Sequence, residues 1–318
     1  MTGYIIRRVL WLIPVLWAVA TITFILMHAV PGGPFTQEKA VPPAIMEALN
    51  RRYSLDEPLW RQYLTYLWNI LHFDFGLSFR GDRDVGQLIR DGFFVTAQLG
   101  VLAFIVAAVV GIVLGIVSAL NHNGFFDYVG VFFATVGASL PNFVLASFLI
   151  VIFAVKLGWF QILGWGGPTQ FSDALDPGAW EIKKMVLPVI AVSTLPAAYI
   201  ARVTRASMLE VLNQDYIRTA RAKGLTGHVV IVRHAVKNAM IPVITLMGPI
   251  AAALVTGSFI IENIFSIPGV GRAFVDAVLR RDYAMIMGST LFYTAVVAFA
   301  NLAVDILYAV FDPRIRYR

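Results

Sequence analysis

Residues 92–126 read GFFVTAQLGVLAFIVAAVVGIVLGIVSALNHNGFF, a run of 35 positions without Asp, Glu, Lys or Arg. A helix rises about 1.5 Å per residue and the hydrocarbon core of a bilayer is about 30 Å thick, so roughly 20 apolar residues suffice to cross it. This stretch is long enough with residues to spare. Five further charge-free intervals lie on either side, at 9–37, 128–155, 185–201, 238–261 and 283–304. Six transmembrane helices are expected, making an all-α polytopic membrane protein. The shortest interval, 185–201, is extended by Arg202 and Arg205, whose long stems carry charge back to the interface. The segment 157–172 is shorter and holds Gly158, Gly164, Gly166, Gly167 and Pro168. It reads as an aromatic-rich loop, with Trp159 and Trp165 at the level of the membrane surface.

Composition agrees. Of the 318 residues, 58% are hydrophobic and only 14% charged, against about 25% charged in soluble domains. Disorder and an ordinary cytosolic enzyme are excluded. Cysteine is absent, which removes a disulfide framework, a thiolate metal site and a Cys nucleophile. Arg7 and Arg8 precede an apolar run as in a signal peptide, but Val9 to Val30 exceeds a signal core of about 7 to 15 residues. A retained helix is expected. With the N-terminus inside, the inner segments hold 12 Lys and Arg and a net charge of +7, and the outer ones −1. The dense basic segment 202–237 dominates this count, so the positive-inside rule places both termini in the cytoplasm.

Between the first two spans, Pro31-Gly-Gly-Pro34 stops a helix, and two amphipathic helices are expected at about 43–53 and 58–72. The Trp60, Tyr63, Leu64, Leu67 and Trp68 stripe of the second is expected to pack on the outer ends of the bundle. In the second span Gly111 and Gly115 permit a close helix approach. In the third, Pro141 beside Gly137, Ser139 and Asn142 predicts a kink. From Ser207 to Asn238 two short helices are expected around a turn at Gly224 and Gly227. Their basic, glycine-broken character fits either lipid contact or a protein partner.

Catalytic motifs are missing. There is no P-loop, Gly269-Val-Gly271 lacks a strand context, and His28, His72, His122, His228 and His234 show no metal-ligand pairing. The candidate translocation path is therefore drawn from neutral polar groups at membrane depth: Ser139, Asn142, Thr194, Thr256, Ser258, Thr290 and Tyr293. Such a lining suits a polar or zwitterionic solute better than a bare ion. Asp305, near the inner end of the last span, is expected to pair with an arginine such as Arg314 or Arg316.

The segment Asp215-Tyr-Ile-Arg-Thr-Ala-Arg-Ala-Lys-Gly224, followed by Arg233-His-Ala-Val-Lys-Asn-Ala-Met-Ile-Pro242, resembles the cytoplasmic coupling loop of permease subunits in binding-protein-dependent ABC importers of the dipeptide, oligopeptide and nickel group. Tyr4-Ile-Ile-Arg-Arg8, Leu55-Asp-Glu-Pro-Leu59, Phe75-Gly-Leu-Ser78, Glu262-Asn-Ile-Phe-Ser-Ile-Pro-Gly-Val-Gly271, Asn301-Leu-Ala-Val-Asp305 and Asp312-Pro-Arg-Ile-Arg316 match the same group. The resemblance implies the transmembrane domain of a type I importer, in a bacterial or archaeal plasma membrane. It divides the chain into an N-terminal helix with its outer segment (1–93), a transmembrane core (94–311) with a coupling loop (207–238), and a tail (312–318). It also implies a second homologous permease, two cytoplasmic ATP-binding subunits or domains that hold ATP and Mg, and an extracytoplasmic solute-binding protein. No cofactor, metal or nucleic acid is expected on this chain. ATPase coupling falls to Asp215, Arg218, Thr219, Ala220, Arg221, Ala222, Lys223 and Gly224. The wider importer pattern begins Glu-Ala-Ala where this chain has Arg218-Thr219-Ala220, so no role of that glutamate carries over. An ion-coupled transporter or channel is the alternative class, and a membrane scaffold a third.

Overall fold

A computed structural model describes residues 2–30, 47, 50–79, 81, 83–174 and 176–311. Among them there is no β-strand, only an isolated antiparallel bridge between Leu77 and Asp84. The elements are α1 (Thr2–Ala29), α2 (Leu59–Leu71), α3 (Val85–Leu120), α4 (Phe125–Ser139), α5 (Asn142–Lys156), α6 (Ile182–Leu212), α7 (Asp215–Ala222), α8 (Gly227–Val255), α9 (Phe259–Ile264), α10 (Val270–Arg280) and α11 (Tyr283–Phe311). The expected helix at 43–53 falls mostly outside the described residues.

Five helices, α1, α3, α6, α8 and α11, are long and apolar enough to cross a membrane, and α4 with α5 makes a sixth crossing if the bent pair counts as one span. The expected kink there is a 109° bend. Its cause is local. Pro141 has no N–H to continue the ladder, and its ring forces Leu140 out of the helical region, to φ −85° and ψ 124°.

The core is built on α3 against α6. Gly111 and Gly115 explain how close they come: a Cβ on Gly111 would stand 2.8 Å from the Ala197 carbonyl, and one on Gly115 would stand 2.7 Å from that of Ala201. Backbone packs directly on backbone, with Ala107, Ala197 and Ile200 filling the seam. At one end of this pair, Asp127 of α4 accepts a two-pronged bond from Arg205 of α6, at 2.6 and 2.7 Å, and further bonds from Ser118 and the Asn123 amide. At the other end, the segment after α5 folds over α3 and α9. Gly164 N–H donates to the Phe265 carbonyl at 2.8 Å, and Gln98 donates to that of Pro168. Trp165 is turned into the core, at 8% exposure, where Gln98 accepts its indole N–H at 3.2 Å. Trp159 stays exposed.

Around α7 the expected boundaries also shift. Helix α6 continues to Leu212, and the second expected short helix is continuous with α8 through a π-helical turn at Val230–Val236. The loop proper is therefore 213–226, not 207–238. At the chain's two ends, Arg8 of α1 pairs with Asp305 of α11 at 2.6 Å. Arg314 and Arg316, the partners expected for Asp305, lie outside the described residues.

Candidate coupling loop and membrane path

Helix α7 has two unlike faces. Ile217 and Ala220 are buried among Ala119, Met208, Val230, Ala235 and Ala239, which anchors the helix across the ends of α3, α6 and α8. Asp215, Arg218, Thr219, Arg221, Ala222, Lys223 and Gly224 are exposed. Among the described residues, the Arg218–Asp215 ion pair, at 3.4 Å, is the only one on that face. An anchored helix thus presents a net basic surface that none of the described residues covers. Of the eight residues expected to act in coupling, seven lie on that surface, and Ala220 belongs to the anchor.

Gly224 ends the helix in a defined way. Its amide donates to the Arg221 carbonyl at 3.0 Å, and the Leu225 amide reaches back to Ala220 at 3.4 Å. These are the two closing bonds of a Schellman cap, which needs a left-handed residue just past the helix. Gly224 supplies it, at φ +80°. A Cβ there would meet nothing within 4 Å, so the demand for glycine is conformational and not a matter of space.

The candidate path residues do not converge on one lumen. Thr290 and Tyr293 line a cleft of about 550 Å³ between α1 and α11, floored by Phe259 and Phe274 and reaching Arg8 and Asn301. Thr194 lines a separate, smaller groove among α3, α4 and α6, with Phe133 and Ser193. Ser139 and Asn142 flank the Pro141 bend. Most of the hydroxyls are already engaged as donors on their own helices: Thr290 to Ile286, Thr194 to Ile190, Thr256 to Ala253 and Ser139 to Thr135, all at 2.7–2.8 Å. Ser258 accepts from the Ile261 amide at the start of α9. Tyr293 differs, for its buried hydroxyl has no partner among the described residues, and its ring meets Phe259 edge-on at 5.0 Å.

One buried acid escaped the reading of the sequence. Glu262 of α9 is 0% exposed. Thr96 Oγ1 of α3 donates to its carboxylate at 3.0 Å, and the amides of Arg272 and Gly271 donate from the first turn of α10. Its carboxylate does for α10 what an N-cap side chain does from a neighbouring position. Burial pushes its pKa up from 4.5 to about 7, outweighing the three hydrogen bonds, which pull the other way. The available signal was a lone acid beside an otherwise charge-free interval, shortly before Gly-x-Gly. Asp282 is a similar case. It accepts from the Met285 amide at the start of α11 and from Ser78 and the Phe79 amide.

Comparison with known proteins bears on the whole chain. A model of the N-terminal part of binding-protein-dependent transport system membrane components matches residues 1–100, and that of the binding-protein-dependent transport system inner membrane component matches 111–317. The dipeptide transport system permease protein DppB of Bacillus subtilis is 44% identical over 317 residues, 99% of this chain and 98% of the relative. The oligopeptide transport system permease protein OppB of Salmonella typhimurium is 42% identical over the full length of both. Among solved structures, an inward-facing MetNI methionine ABC transporter chain superposes with TM-score 0.56 at 15% identity, covering 71% of this chain and 97% of that one. An amino acid ABC transporter chain gives 0.51 at 17%, covering 72% and 94%. These likenesses support the importer over an ion-coupled carrier, and with apolar spans packed as described they identify a multi-pass membrane protein that belongs to the binding-protein-dependent transport system inner membrane components, the permease subunits of ABC importers.

Proposed function

We propose that this chain is half of the path by which a peptide, handed over by an extracytoplasmic solute-binding protein, crosses the inner membrane of a bacterium, and that a partner ATPase drives it through α7. The observation that carries the coupling role is α7 itself, buried on one face and bare and basic on the other. A groove on an ATP-binding subunit with acidic or neutral walls would fit it. Closure of two such subunits around ATP and Mg would move two anchored α7 helices, and α3, α6 and α8 with them. This is a two-state change biased by differential binding. Thr290 and Tyr293 line one cleft and Thr194 a separate groove, which supports a lumen completed by a second, homologous permease. The resemblance to peptide permeases along the full length supports a peptide as solute. The +7 balance supports cytoplasmic termini and a cytoplasmic α7. The domain division at residues 93 and 311 accompanies this reading, with 1–93 flanking the core that carries the loop.

Uptake by the reconstituted complex is expected to require ATP on the side that carries α7 and to ignore sodium and proton gradients. Permease chains without ATPase should transport nothing under a steep gradient. Gradient-driven uptake by those chains alone, or ATP working only from the opposite side, would refute the proposal.

A further inference from the structure

Helix α2 has a face that none of the described residues covers. Gln62, Tyr63 and Tyr66 turn toward α1: Tyr63 Oη lies 2.7 Å from Thr21 Oγ1, Gln62 lies 3.1 Å from His28 Nε2, and Phe24 contacts both tyrosine rings. On the opposite side Trp60, Leu64, Trp68 and Leu71 are exposed, at helical spacing. Arg61 is the one charged residue of Leu59–Leu71, and it is paired with Glu57 at 3.6 Å. The stripe expected from the sequence to pack on the bundle is thus divided, with Tyr63 and Leu67 half-buried and both tryptophans facing outward.

The contacts to α1 determine how deep α2 sits. With Arg8 at one edge of a hydrocarbon core about 30 Å thick, the other edge comes about 20 residues later, near His28. Thr21 then lies about 10 Å below that edge, at about 1.5 Å per residue. A tyrosine hydroxyl is only about 6 to 7 Å from its own Cα. Tyr63, in bonding distance of Thr21, therefore holds α2 at the edge of the hydrocarbon and not above the headgroups. At that level of α1, Ile22, Ile25 and Leu26 are exposed as well. Tryptophan is the side chain suited to this depth, apolar in body with a polar N–H at the headgroups.

We infer that α2 is an in-plane membrane helix, and that lipid of the leaflet opposite α7 covers its Trp60–Leu64–Trp68–Leu71 face. Lipid accounts for both the depth and the shortage of charge. The inference does not depend on which solute is carried.

The absence of cysteine allows a direct test on the full chain. Nitroxide labels on Leu64→Cys and Trp68→Cys, in phosphatidylethanolamine–phosphatidylglycerol vesicles, are read by collision with oxygen and with a water-soluble nickel chelate. Ile25→Cys serves as the lipid reference and Asp56→Cys as the aqueous one. Both α2 labels are expected to favour oxygen at least threefold, as the Ile25 label does. Preference for the chelate would mean an aqueous docking face, and low collision with both reagents would mean cover by a second protein. Either result overturns the inference. Independently of labelling, brominated phospholipid should quench a smaller share of tryptophan emission in the Trp60→Phe, Trp68→Phe double variant than in the unsubstituted chain. An unchanged share would also count against lipid contact.

Discussion

Gly224 stands at φ +80° in open space, and these two facts rank its substitutions. A side chain in the left-handed region costs about 1 to 2 kcal/mol, least for asparagine and most for β-branched residues. Gly224→Asn should retain most solute-stimulated ATP hydrolysis by the assembled complex. Gly224→Val should lose most of it while the chain still inserts, because the Schellman cap fails and α7 frays. Equal activity of the two variants would mean that the cap is irrelevant to coupling. Glu262 yields a prediction of pH dependence. Its pKa is higher in the folded α9–α10 pair than the ordinary 4.5, so the folded form holds the proton more tightly than an opened one does. Its contribution to the stability of that pair is fully present below pH 4.5 and is lost as pH rises through about 7. Hydrogen exchange at the Gly271 and Arg272 amides, corrected for intrinsic rate, should show opening increasing by roughly tens of fold between pH 5 and pH 8. Glu262→Gln should remove that slope, and a slope that survives would locate the titration elsewhere. The two residues differ in how much the sequence reveals. Gly224 ends an amphipathic stretch and its requirement is local, so it can be read directly. Glu262 bonds with Thr96, 166 positions away, and no local pattern announces that partner.

Among the helices, Gly111 and Gly115 were readable as a close-approach motif, but not the helix they approach. The structure pairs them with Ala197, Ile200, Ala201 and Thr204 of α6. The contact is backbone to backbone, so there is no slack for a larger residue. Gly115→Leu is expected to destabilise the chain by about 1 to 3 kcal/mol or more, visible as a lower Tm in detergent. Gly227→Leu, at an exposed position with open space around its Cα, should shift Tm far less. A Tm unchanged in the first variant would mean the helices are not packed as described. The Pro141 break shows the same division. Its position follows from the ring and the missing N–H, which are chemical facts of one residue. The 109° angle depends on where α4 and α5 find their partners, α4 held by Asp127 to Arg205 and α5 packed through its Ala146 and Leu149 into the main core.

For the molecule as a whole, the all-α class and six charge-free intervals, five of them single span-length helices and one the bent α4–α5 pair, were present in the linear order of residues. The cost of placing charge in hydrocarbon is paid residue by residue, so a charge-free interval of span length marks a membrane helix with no knowledge of its neighbours. The cap at Gly224 and the exposed polarity of α7 are equally local. The tertiary structure alone decided which polar groups share a surface and which do not. It set Thr290 and Tyr293 in one cleft and Thr194 in another groove, buried Trp165, brought Arg8 to Asp305 across nearly the whole chain, and laid α2 beside α1. Each of these depends on contacts between residues tens to hundreds of positions apart, where helix rotation and packing choose the partners and where hydrophobicity, nearly uniform around every span, leaves no stripe to show which face turns inward.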